Sequence, residues 1–239
     1  FKNILGQYIS SEKDMPSKTV LGWYFQLVLK ISHVIRKELN KDTTMIDSDT
    51  ILLKKLKLFA DKHSIVYKTN YEKNLHYKRS CEDIFNTVKE NWESFTVQIF
   101  SITKQESLDL RSRLSKYMDQ NSMNEGEWIS HILLTSIFKR HTTLNGSFMS
   151  EQDLIGTSNV LSGAKINRSL KILRSFVIGE LSPTQENIAA FFDYSFINYE
   201  KWIMKKKKLN YFDFIIVLFI NNHYFHKFFK KIQQNLSFK

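Results

Sequence analysis

Apolar residues recur at spacings of three and four along most of this 239-residue chain, the interval that places side chains on one face of an α-helix. Two prolines and seven glycines are too few to supply the turns of many β-hairpins. Hydrophobic residues make up 42% of the chain, enough to bury a core of domain size. The sequence therefore predicts an all-α fold, an irregular multi-helical bundle with about eight helices.

Two helices are expected before residue 65. Ser17 can cap the first, which reaches about residue 40, because a serine oxygen at this position accepts a hydrogen bond from the first turn. Asp49 can cap the second, over residues 50–63, in which lysines face water and apolar residues face inward.

The longest helix is expected over about residues 70–103. A narrow apolar seam alternates spacings of four and three for three heptads, which is typical of a helix in a bundle. The seam consists of Cys81, Phe85, Val88, Trp92, Phe95, Ile99 and Ile102.

Shorter helices are predicted over residues 105–119, with Leu108, Leu114 and Met118 inward, and over 127–140, 164–178 and 183–204. Ser150 followed by Asp153 matches a capping box for a helix ending near Gly156. The segment 156–163, rich in small polar residues, is expected to be a mobile surface loop or a subdomain border. A last, largely buried helix is expected over residues 211–236, because its first half is apolar all round.

The polar break at residues 121–126 suggests an N-terminal helical subdomain, 1–120, and a basic C-terminal helical subdomain, 121–239, unless the two form one continuous domain. Because the first residue is Phe1 and not methionine, the chain is expected to be a processed product or a piece of a longer polypeptide.

Positive charge is concentrated at the C-terminal end of the chain. Residues 201–239 contain nine lysines, ten aromatic residues and one acidic residue, Asp213, so they carry +8 of the formal net charge of +11. Charge segregated in this way indicates an anionic partner.

The predicted function is a binding and scaffold module without enzymatic activity of its own. It would contact the backbone of RNA or DNA, without base specificity, through lysine-rich helix faces, and protein partners in a larger assembly or parent polypeptide through apolar helical seams. The predicted nucleic-acid-binding residues are Lys165, Arg168, Lys171, Arg174, Lys205, Lys206, Lys207, Lys208, Lys227, Lys230 and Lys231.

Three alternatives stay open on the sequence alone. The chain could be a pure protein–protein assembly subunit, or the aromatic and basic segment 211–231 could lie in a membrane interface. It could also be a metal-independent ribonuclease in which a glutamate and a histidine act as acid and base beside a cation. The candidate residues for that activity are Glu12, Arg168, Arg174, His223 and His226.

Several site types lack their signatures. No glycine-rich phosphate loop, nucleophile elbow or zinc-protease motif occurs, so no cofactor is predicted. His223 and His226 have no third ligand at metal-binding spacing, so no metal is predicted. The single cysteine, Cys81, excludes an internal disulfide and fits a core position in an intracellular protein. The longest apolar run, residues 214–220, is too short to span a bilayer.

Overall fold

The computed structural model of the chain describes residues 1–9, 15–36, 38–48, 50–68, 74–88, 94–116, 123–167, 172–175, 185 and 196–199. These residues form six helices and eight strands. The fold is a mixture of α and β structure, so the prediction of an all-α bundle is wrong. The helices are α1 (Lys2–Leu5), α2 (Lys18–Ile35), α3 (Leu75–Phe85), α4 (Lys104–Leu114), α5 (Glu125–Phe138) and α6 (Glu151–Leu161). The strands are β1 (Thr43–Ile46), β2 (Thr50–Leu52), β3 (Phe59–Ala60), β4 (His63–Tyr67), β5 (Ile99–Ile102), β6 (Lys165–Asn167), β7 (Ile172–Ser175) and β8 (Phe196–Tyr199).

The chain divides into two compact units. The first unit comprises residues 1–45 and 57–168. In it β1 pairs with β5, while β4 pairs antiparallel with β3 and parallel with β6, Ile65 lying opposite Lys165. The second unit comprises residues 46–56 and 169–239, and its described strands are β2, β7 and β8. There β8 is the middle strand, antiparallel to β2 and parallel to β7.

The core of the first unit lies between α2, α4, α5 and α6. Its largest fully buried side chains include Trp128, Tyr24, Leu27, Ile31 and Leu110. On α2 the positions Tyr24, Leu27, Ile31 and Val34 are buried, and on α5 so are Trp128, Ile132, Leu133 and Ile137, because the spacing of three and four selects one face of each helix. Cys81 is also buried, as expected for a core cysteine.

Polar side chains of α4 close the end of α2. The last carbonyls of a helix have no partner within it and must be satisfied from outside. Ser107 donates to the carbonyl of Val34, and Arg111 donates to that of Ile35 over 2.7 Å. Arg111 also lies over the ring of Trp128, so one guanidinium connects α2, α4 and α5.

Three helix starts follow from local sequence. Ser17 Oγ accepts from the amide of Val20, and Ser150 Oγ accepts from that of Asp153, as the sequence predicted. The prediction of a helix near residues 127–140 is confirmed by α5, whose cap at Asn124 begins it two residues earlier. These capping signals depend only on neighbouring residues, so they predict helix starts correctly although the predicted fold class is wrong.

The long helix predicted over residues 70–103 is wrong. Helix α3 begins at an Asn74 cap and ends at Phe85, because Asn86 adopts the left-handed conformation with φ of 47°. Ile99 and Ile102 belong to β5 and are buried in the chain's own core. A strand with both faces covered can reproduce helical spacing by chance, since it is apolar on either side.

Other predicted helices are strands in the structure. The segment 50–63 contains β2 and β3, and Asp61, with φ of 57°, makes the turn into β4. The segment 164–178 contains β6 and β7. Of the described residues in 183–204, Gln185 is helical, as predicted, whereas 196–199 form β8. Leu108, predicted to face inward on α4, is 44% exposed. The helix predicted over 211–236 and the cap at Asp49 lie outside the described residues.

Candidate functional site

Helix α6 is buried although its sequence is polar. All nine residues from Glu151 to Asn159 are buried, and six of them carry polar or charged side chains. The prediction that the helix ends near Gly156, followed by a mobile surface loop, is therefore wrong. Buried polar groups need hydrogen-bond partners. The partners of α6 come from distant segments, and they are the main concentration of buried polar chemistry among the described residues.

Asp153 is the most heavily bonded of these groups. Its carboxylate accepts a hydrogen bond from the amide of Phe95 over 3.1 Å, from Ser94 Oγ over 2.6 Å and from Thr96 Oγ1 over 2.9 Å. It also lies in the first turn of α6, where the positive end of the helix dipole favours an anion. Asp153 therefore fixes the segment 94–96 against the start of the helix.

Two more polar contacts join α6 to its surroundings. Lys30 of α2 donates to Glu151 over 2.7 Å, and both side chains are largely buried. At the other end of the helix, the Asn159 amide donates to Ser64 Oγ and to the carbonyl of Ser101, each over 2.9 Å. These bonds tie α6 to β4 and β5, so the polar residues of the helix act as structural connectors.

The space beside α6 is too small for a cofactor. A Cβ atom on Gly156 would lie 2.7 Å from Cδ2 of Phe95, so only glycine allows the ring to approach this closely. The neighbouring cavity, lined by Gly156, Gln152, Asn159 and apolar residues of β4 and β5, has a volume of about 10 Å³. That is room for about one water molecule.

A histidine and a carboxylate face each other at the edge of this buried region. His63 begins β4, and its Nδ1 lies 3.5 Å from Oε1 of Glu106. The Glu106 side chain is 1% exposed, whereas that of His63 is 39% exposed. One partner is therefore buried and the other reaches solvent.

Glu106 is held in place by backbone amides. It is the third residue of α4 and forms a capping box with Thr103, whose amide donates to Glu106 Oε2 over 2.8 Å. The amide of Ser64 donates to Oε1 over 3.0 Å. The pattern Thr103-x-x-Glu106 is visible in the sequence as a capping box, but 42 residues lie between His63 and Glu106, so the sequence does not reveal their pairing.

A second group of rings lies at the start of α3. His141 stacks on Phe148 with 3.9 Å between ring centroids, and His76 meets both rings edge-on. Burial lowers the pKa of His141, and the nearby His76 and Arg140 lower it further. Arg140 itself forms a two-point ion pair with Asp83, whose pKa this contact holds below its usual range.

We expect mild acid to destabilise the protein through His141. A histidine whose pKa is lower in the folded state binds its proton more readily when unfolded, so stability falls as the pH drops through about 6.5 toward the lower folded value. Burial also lowers the pKa of His33, which acts in the same direction. In thermal unfolding, His141→Phe should match the wild type at pH 7.5, because the stacking is kept. At pH 5 it should retain a higher melting temperature. If acid lowers the melting temperature of both proteins equally, His141 is not the source of the pH dependence.

Most of the predicted site residues lie outside the described residues. Among the eleven cations predicted to bind nucleic acid, Lys165 is the one whose side chain is described, and it lies on strand β6, not on a helix face. Its Nζ is 3.3 Å from Oδ2 of Asp61, and both side chains are more than 70% exposed. Arg174 belongs to β7. The described part of the chain therefore gives no support for a converged basic face.

The candidate ribonuclease residues Glu12, Arg168, His223 and His226 also lie outside the described residues. Within the described ranges, no three His, Cys, Asp or Glu side chains gather into a possible metal site. No described helix is both long enough and apolar enough to cross a membrane. His63 and Glu106 are the functional candidates that sequence reasoning missed.

Comparison of the chain with protein family models, with characterised proteins and with solved structures finds no match.

Proposed function

We propose that the chain binds the phosphate backbone of nucleic acid through the lysines of residues 201–239, called here the basic segment. The observation that supports this is the segregation of charge: nine lysines against one acidic residue give the basic segment +8, while residues 1–200 carry only +3. Lysines that neutralise phosphates release condensed counterions, which drives binding without reading the bases.

The basic segment also contains ten aromatic residues. Aromatic side chains interleaved with cations are typical of surfaces that bind single strands, because bases stack on the rings while lysines contact phosphates. We therefore propose a single-stranded nucleic acid as the preferred ligand. The lysine-rich helix face predicted over residues 164–178 is not part of the proposal, since this segment contains strands β6 and β7.

We expect replacement of the four lysines at 205–208 by glutamine to weaken binding and reduce its salt dependence. If each lysine contacts one phosphate of a single strand, the slope of log K against log salt should shrink by up to about 3. The measurement is a filter-binding titration of single-stranded RNA at several salt concentrations.

A matched control removes the same charge elsewhere. Lys54, Lys55, Lys57 and Lys62 are exposed, and their replacement by glutamine lowers the net charge by the same four units. This variant should keep most of the affinity and the slope. Equal losses in both variants would show that net charge alone governs binding, which contradicts a role for the basic segment.

One observation favours the alternative of a protein assembly subunit. Phe25 and Leu29 lie one turn apart on α2 and are each 52% exposed, beside a surface hollow lined by Phe1, Leu21 and Gly22. If wild-type protein fails to retain RNA at low salt but purifies with a protein partner, the nucleic-acid proposal is refuted and the assembly role takes its place.

A further inference from the structure

The His63 and Glu106 side chains have the arrangement of an acid–base pair. The buried Nδ1 of His63 lies 3.5 Å from Glu106 Oε1, which is within ion-pair distance, and it makes no hydrogen bond. A carboxylate behind Nδ1 favours the tautomer with the proton on that nitrogen, which leaves the lone pair on Nε2. The Nε2 edge lies beside Gly163, where a Cβ atom would be 3.5 Å from Nε2, and the residue at 163 is exposed. The His63 side chain is 39% exposed while its Nδ1 is buried, so solvent reaches the ring from the side away from Glu106.

Glu106 is fixed in a way that a simple surface ion pair is not. Its two oxygens accept from the amides of Ser64 and Thr103, so the carboxylate cannot turn away when the histidine changes its protonation state. Ser64 is the next residue after His63, so the same carboxylate positions the strand that carries the ring. This pre-organisation is what a positioning residue provides in acid–base catalysis.

A cation lies on the neighbouring strand. Lys165 of β6 is the register partner of Ile65, two residues from His63 on β4. Its ammonium group is exposed at the turn that leads into β4, where it contacts Asp61. An exposed ammonium on the strand next to a general base can stabilise negative charge that develops on a phosphate.

We propose that His63 and Glu106 form a site that cleaves RNA, and this inference rests on the proposed binding of nucleic acid. His63 Nε2 takes the proton of a ribose 2′-hydroxyl, and the 2′-oxygen attacks the adjacent phosphorus. The bond from phosphorus to the 5′-oxygen breaks, and the leaving oxygen takes a proton from water. The products are a 2′,3′-cyclic phosphate and a 5′-hydroxyl, and the histidine returns its proton to solvent.

RNA suits this pair because it carries its own nucleophile. A single base next to a cation is sufficient when the attacking hydroxyl is part of the substrate, since only its proton has to be removed. DNA lacks the 2′-hydroxyl, so the proposal predicts that DNA is bound but left intact. The corresponding minimal substrate is a DNA strand that contains a single ribonucleotide. We expect this strand to be cleaved on the 3′ side of the ribonucleotide.

The experiment uses the full chain with a labelled single-stranded RNA, and it measures retention on a filter and cleavage in parallel. We expect wild-type protein to produce a 2′,3′-cyclic phosphate and His63→Gln to lose at least about 100-fold in cleavage rate while its affinity is unchanged. His131→Gln serves as the matched histidine control and should keep the rate. Circular dichroism establishes that each variant is folded.

Glu106→Gln tests the positioning residue. The amide keeps an oxygen for one backbone donor but removes the charge behind His63, so the rate should fall and the 15N spectrum should show His63 moving toward the other tautomer. Retention without cleavage, or cleavage that persists in His63→Gln, overturns the inference and leaves the binding proposal standing. If the protein does not retain RNA on the filter, both the cleavage inference and the binding proposal are refuted.

Discussion

Replacing Asp153 by alanine is expected to lower the free energy of unfolding by about 3 to 5 kcal/mol, roughly a third to a half of the stability of an average domain. The carboxylate is buried and accepts from Ser94, Phe95 and Thr96, so its loss removes the acceptor of the Phe95 amide and the acceptor that two hydroxyl groups share in the interior. Urea unfolding followed by tryptophan fluorescence measures the change. Asp153→Asn should cost less, because one oxygen is kept and hydroxyl groups can accept from the new amide.

Asp109→Ala is the matched control for Asp153. Asp109 lies on the outer side of α4, where its carboxylate accepts from Gln105 in an exposed contact. The same substitution there should change stability by less than about 0.5 kcal/mol. Comparable losses at both positions would mean that the hydrogen bonds of Asp153 do not stabilise the fold.

Replacing Gly156 by alanine is expected to destabilise the protein by about 1 to 3 kcal/mol, although alanine is the better helix former by about 1 kcal/mol. The reason is steric. The new Cβ would lie 2.7 Å from Cδ2 and 2.9 Å from Cβ of Phe95, and a ring anchored this close to its own backbone cannot move aside. Thermal and urea unfolding measure the effect.

Gly22→Ala makes the same substitution on α2, where we expect it to increase stability. Apart from its chain neighbours and the backbone of its own helix, no atom lies within 4 Å of the position that a Cβ atom would take there, so the helix gains propensity without a clash and should be stabilised by up to about 1 kcal/mol. If both variants are stabilised, the contact between α6 and Phe95 is looser than the structure describes.

Local signals were recoverable from the sequence, and long-range ones were not. The caps at Ser17 and Ser150 and the inward face of α2 depend on residues within one or two turns. The seam from Cys81 to Ile102 has helical spacing but includes the buried strand β5, because periodicity alone does not distinguish a buried strand from a helix.

The polar helix α6 shows why the candidate site escaped prediction. Its polar residues suggest a surface segment when only the sequence is known. Their hydrogen-bond partners, among them Ser64 and Ser94, are about 60 to 95 residues away in the chain. The same holds for His63 and Glu106, which only the fold brings together. Charge segregation in residues 201–239 was visible at once, since it needs no knowledge of contacts.

The pairing of β4 with β6 has a consequence for the synthesis of the protein. Ile65 and Lys165 lie opposite each other but are 100 residues apart in the chain. Translation adds about 5 to 20 residues per second, so on the order of 5 to 20 seconds pass between the synthesis of β4 and the synthesis of its parallel neighbour β6. During that interval its edge is open to other chains, so nascent protein should depend on chaperones more than its small size suggests.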